Sequence, residues 1–73
     1  MNKNELRAEM VRHGDTGVTL AEYLGITRGT LSAKLNSTNG AEFTQGEISQ
    51  IKERYSLDAA AVDAIFFDLA VSK

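Results

Sequence analysis

Between Thr19 and Leu35 the chain reads Thr-Leu-Ala-Glu-Tyr-Leu-Gly-Ile-Thr-Arg-Gly-Thr-Leu-Ser-Ala-Lys-Leu, and the spacing has a physical cause at each marked position. Ala21 is small where two helices must cross closely. Gly25 falls four residues later, where a tight turn needs a residue that tolerates positive φ. Ile26 then points back into a core, Thr27 caps a second helix, and Leu31 and Leu35 share one face of it. The run predicts two short helices joined by a tight turn and packed on each other.

A chain of 73 residues suffices for one domain, with a core over about 4–67 and a tail over 68–73. So short a chain buries a modest fraction of its surface, and good packing or a partner must make up the difference. Cysteine is absent, which removes disulfides and Cys-based zinc sites and fits a cytoplasmic setting. No run of about eighteen apolar residues exists to cross a membrane, and Met-Asn-Lys-Asn-Glu at the start is too polar for a secretory signal. Proline is absent too, as suits a compact bundle of short helices.

The coarse reading is all-α with five helices. Helix 1 is predicted over about Asn4 to His13, with Leu6 and Met10 on one face and Gly14 as its breaker. Helix 2 runs from Gly17 to Leu24 behind Thr16, turning Leu20, Ala21 and Leu24 inward. Helix 3 runs from Arg28 to Asn36. Composition makes Ser37 to Glu42 a loop. Thr44-Gln45-Gly46-Glu47 is a capping box, Phe43 stands ready to staple onto Ile48, and Ile48, Ile51 and Tyr55 form the stripe of helix 4. Asp58 caps helix 5 in the same manner, with Leu57 placed to staple onto Val62, and Ile65 and Phe66 extend that stripe.

These residues carry a family resemblance. Leu20-Ala21-Glu22-Tyr23-Leu24-Gly25-Ile26-Thr27-Arg28, then Thr30-Leu31-Ser32-Ala33-Lys34-Leu35-Asn36, then Phe43-Thr44-Gln45-Gly46-Glu47-Ile48 resemble the lambda-repressor-like, Cro/repressor (XRE-type) helix-turn-helix family. Within it the chain looks closest to small phage or prophage regulators of Gram-positive bacteria. The resemblance covers about Leu6 to Phe67. It implies a five-helix all-α domain whose helices 2 and 3 form the helix-turn-helix, sequence-specific binding of double-stranded operator DNA, and a two-fold homodimer. In such motifs the second helix enters the major groove.

With Leu31 and Leu35 buried, Gly29, Ala33 and Asn36 are predicted to point most directly outward, flanked by Thr30 and Ser32. That face is short of long side chains, and the family's pattern has a longer polar residue where Gly29 stands. Ala33 offers only a methyl group, suited to thymine. Arg28 is the long side chain in position to reach a base edge or a phosphate; the bland alternative is a surface ion pair with Glu22. Lys34 is a phosphate contact or a solvated charge. Thr27 is a cap first, with its hydroxyl near phosphate in either case. Thr16, Gly17 and Thr19 open helix 2, whose amides approach the DNA backbone in this architecture.

Charge pulls against affinity for DNA. The chain is net −2. Residues 1–36 hold five bases against four acids, whereas residues 37–73 hold three bases against six. At the C-terminal end, one helical face can bury Ile65, Phe66 and Leu69 while Phe67 and Val71 point elsewhere, and the run of Phe67, Leu69 and Val71 is expected to serve a dimer interface or fold back over the core. His13 suits a helix C-terminus. The carboxylates read as scattered caps and solvated surface, with no metal-ligand spacing, phosphate loop or nucleophile elbow. The expectation is therefore a cytoplasmic DNA-binding regulator with no cofactor, metal, membrane or small-molecule substrate, and no enzymatic activity. The alternative is a protein-interaction module that kept the fold and lost DNA affinity.

Overall fold

A side-chain cap begins each α-helix of the computed structural model, which describes residues 1–67. Asn2 accepts from the Glu5 N–H and starts α1 (Lys3–Arg12). Thr16 accepts from Thr19 and starts α2 (Gly17–Leu24). Thr27 accepts from Thr30 and starts α3 (Arg28–Asn36). Thr44 and Glu47 form a reciprocal capping box at α4 (Gln45–Tyr55), and Asp58 accepts from Ala61 to start α5 (Ala59–Val62). Each such cap satisfies a backbone donor that a helix start leaves open and contributes roughly 1 kcal/mol. Among the described residues the chain is all-helical, without a strand.

The inward stripes meet in one core. Leu6 and Met10 of α1, Leu20, Ala21 and Leu24 of α2, and Leu31 and Leu35 of α3 are all buried. Ile51 and Tyr55 close it from α4, and Leu57, Ile65 and Phe66 from the C-terminal end. Phe43 and Ile48, the expected staple at α4, both pack against this cluster. Between α2 and α3 the chain reverses through Gly25 at φ 76°, ψ 27°, a left-handed conformation open to glycine without strain. The amides of Gly25 and Ile26 bond back to Glu22 and Ala21 carbonyls. No described helix is long and apolar enough to cross a membrane.

Three details differ from the expectation. α1 begins one residue earlier and ends one earlier, because Asn2 supplies a cap and His13 serves as the C-cap. The loop after α3 contains a 3-10 turn, Thr38–Gly40, with Asn39 at φ 53°. The last helix is α only as far as Val62 and then widens into a π turn, Asp63–Phe67. That turn keeps the neighbours Ile65 and Phe66 both buried, at 2% and 8% exposure. It also leaves the Ile65 carbonyl to accept from the Asn2 N–H at 2.7 Å, which joins the two ends of the described chain.

The carboxylates are not all caps and solvated surface. The Asp15 side chain is 6% exposed and receives four donors: Arg54 Nε and Nη2 at 2.7 Å each, Tyr55 Oη at 2.6 Å and Thr19 Oγ1 at 2.8 Å. A carboxylate offers about four acceptor sites, so this one is saturated. The Arg54 fork holds its pKa well below the usual carboxylate range, with the Tyr55 and Thr19 hydroxyls adding to that against the opposing effect of burial. Burial and the same carboxylate push the Tyr55 phenol up. Arg54 also lies over the Tyr23 ring at 4.5 Å, and His13 stacks on Tyr55 at 4.7 Å.

Because folding depresses the Asp15 pKa, its stabilisation is full above the ordinary Asp value of about 4 and drains away as pH falls below it. Asp15→Asn turns an amide N–H₂ toward the Arg54 guanidinium, which only donates, and is expected to lose about 1–3 kcal/mol at neutral pH. Urea unfolding at pH 7 and at low pH checks this. The wild type should lose more stability on acidification than the variant does.

Candidate nucleic-acid interface

Helix dipoles and short side chains dominate the exposed side of α3. Thr27 Oγ1 donates to Thr30 Oγ1 at 2.9 Å while accepting from the Thr30 amide, so both hydroxyls sit at the helix start. Gly29, Thr30, Ser32 and Asn36 are exposed. Asn36 Nδ2 donates to the Ser32 carbonyl at 3.0 Å, and its Oδ1 accepts from Lys3 Nζ at 2.8 Å. Ala33, expected to point outward, is half-buried.

Arg28 makes no ion pair with Glu22; within the described residues it has no carboxylate partner at all. Its aliphatic stem lies over Gly17, where a Cβ would meet Arg28 Cγ at 3.5 Å and Cδ at 3.8 Å. The side chain therefore runs back across the start of α2. It lines an open groove of about 440 Å³ between α1 and α3 together with Arg7, Gly17, Gly29 and Ser32, and the edges of Met10, Leu31 and Leu35 form its floor. No carboxylate lines this groove. Lys3 and Arg7, four residues apart on α1, share a face, so Lys3, Arg7 and Arg28 form a basic stripe along the α1–α3 side.

Lys34 is a correction. It is neither a solvated charge nor a free phosphate contact: its Nζ donates to Glu47 Oε1 at 2.7 Å, and the two side chains are 13% and 12% exposed. The same Oε1 accepts from the Thr44 N–H at 2.9 Å. Lys34 and the Thr44 amide hold the Glu47 carboxyl below its usual value, although burial opposes them. The Thr19 hydroxyl is likewise engaged, with Asp15 and with the Thr16 amide, although the residue stays exposed. Thr16 spends its hydroxyl on the cap. Of the residues expected at DNA, the structure brings Gly17, Arg28, Gly29 and Ser32 together along one groove, leaves Thr27, Thr30 and Asn36 exposed, and ties Lys34 to Glu47.

The sequence does not mark Lys3 as a site residue, and it offers Arg7 near phosphate only as one cation among several. The available signal was their i, i+4 spacing; their placement beside α3 needed the fold. A second feature lies at the other end. Phe67 is 43% exposed and Met1 39%, and with Phe43, Ile48 and Phe66 they border a cavity of about 210 Å³. Leu69 and Val71, expected beside Phe67, lie outside the described residues.

Comparison with protein-family models, with curated proteins and with solved structures gives no match.

Two substitutions separate scaffold from surface. Lys34→Met is expected to lower stability by about 1–2 kcal/mol by stranding Glu47. Gly29→Ala is expected to raise stability by up to about 1 kcal/mol, since the nearest atom to an added Cβ is Thr27 Oγ1 at 4.0 Å. Urea midpoints of the two variants measure both effects.

Proposed function

We propose that this chain is a DNA-binding transcriptional regulator of phage or prophage type, in which α2, the Gly25 turn and α3 act as a lambda-repressor-like helix-turn-helix on operator DNA. The observation that carries the reading is the stripe of Lys3, Arg7 and Arg28 beside a groove without a carboxylate, on a chain whose net charge is −2. Positive charge concentrated on one side of an acidic protein is the electrostatic footprint of a polyanion partner. The short exposed face of α3 lets its backbone come close to base edges, with Thr30, Ser32 and Asn36 as hydrogen-bonding groups.

The regulator works without cofactor, metal or small-molecule substrate, and has no enzymatic role. It binds as a homodimer through the end that carries Phe67, where burying one Phe side chain contributes roughly 1.5–3 kcal/mol and a two-fold axis applies that twice. Such an axis sets the two copies of α3 about 34 Å apart, one turn of DNA. The alternative reading, a protein-interaction module on the same fold, draws on the loss of Lys34 to Glu47 and on the exposed Phe67.

Binding to duplex DNA from beside its own gene is expected to be modest and salt-dependent. Three phosphate contacts give a log–log slope of about −2 to −3 per monomer. No binding at low salt would leave the interaction module as the reading. Sedimentation across protein concentration tests the dimer: the wild type should associate, and Phe67→Ser should not.

A further inference from the structure

We infer that the groove between α1 and α3 seats the sugar–phosphate backbone of one DNA strand, with Arg7 and Arg28 bracketing a phosphate, so that Arg28 positions the protein and does not read a base. This rests on the DNA-binding reading above and assigns the part that α1 plays in it.

Three observations carry the assignment. The Arg28 stem lies flat over Gly17, with Cγ and Cδ within 3.5 and 3.8 Å of a Cβ position there. A base edge lies at the bottom of a major groove roughly 8.5 Å deep and must be met by a side chain that projects. A side chain laid back across α2 meets the rim of that groove, where the phosphates are. Arg7 lines the same concavity from α1, and both arginines are exposed.

Neither guanidinium has a carboxylate partner among the described residues. Two like charges facing one concavity repel until an anion lies between them. A phosphodiester presents two non-bridging oxygens, one for each planar fork, and such charge-assisted pairs are roughly twice as strong as neutral hydrogen bonds. Shape agrees with charge: a backbone is a ridge, and an open groove of about 440 Å³ receives a ridge.

The test is fluorescence anisotropy of the full chain on an own-locus duplex and a shuffled duplex of equal length, between roughly 50 and 200 mM salt. Arg7→Gln and Arg28→Gln should each weaken both duplexes by the same factor and each make the log–log slope shallower by about 0.9. The preference for the own-locus duplex should stay unchanged, and Arg7→Lys should keep the slope. Both glutamine variants should unfold at the wild-type urea midpoint, which excludes a folding defect. An Arg28→Gln protein that loses its preference, or an Arg7→Gln protein with the wild-type slope, overturns the assignment while leaving DNA binding intact. A wild type that binds neither duplex at the lowest salt overturns the DNA reading itself, and this inference with it.

Discussion

The Asp15 carboxylate is the constraint on which the rest of the molecule hangs. It sits one residue before the Thr16 cap, at the corner between α1 and α2, and is held by Arg54 and Tyr55 from the far end of α4. Its backbone amide is spoken for as well, donating to the Met10 carbonyl at 2.7 Å. One small side chain thus determines where α2 starts relative to α4. Everything on α2, including the Gly25 turn and the placement of α3, inherits that position. The aromatic rings of Tyr23, Tyr55 and His13 pack around the same point.

From there the construction runs outward in small steps. α3 is short, has a low-helix-propensity glycine in its first turn and offers few long side chains, so it gains stability from Leu31 and Leu35 more than from itself. Two polar ties then hold its C-terminal turn: Lys34 reaches across to Glu47 on α4, and Asn36 meets Lys3 on α1. The electrostatics are economical. Arg12 is neutralised by Glu9, Lys34 by Glu47 and Arg54 by Asp15. Lys3, Arg7 and Arg28 on the α1–α3 side have no carboxylate partner among the described residues, which leaves that side its positive charge on an acidic chain.

Signals acting over three or four residues were legible in the sequence. Thr16, Thr27, Thr44 and Asp58 marked the starts of four helices, and Gly25 marked the turn, because a cap and its recipient amide lie in the same stretch of chain. The Leu and Ile stripes located the core for the same reason. What lay hidden was the pairing of distant residues: Asp15 with Arg54 and Tyr55, some forty positions on, and Lys34 with Glu47. Composition treats each as a solvated charge, and no local spacing reveals a partner on another helix. The direction of Arg28 was equally out of reach, since it depends on the absence of a side chain at Gly17 on a different element. The π turn at Asp63–Phe67 follows from docking against Asn2, which again is a contact between chain ends.

The Lys34–Glu47 pair has a consequence for how such a domain changes over generations. Glu47 serves the start of α4 and the end of α3 at once, so those helices stay keyed together by a contact that bypasses residues 37–44 between them. The exposed segment from Ser37 to Glu42 is then relieved of holding them in register. Lengthening such a segment adds only slowly to the entropy of closing it, and exposed segments are where insertions are best tolerated. The loop is accordingly free to drift in length and sequence, trying new outward chemistry, while the helices on either side keep their places.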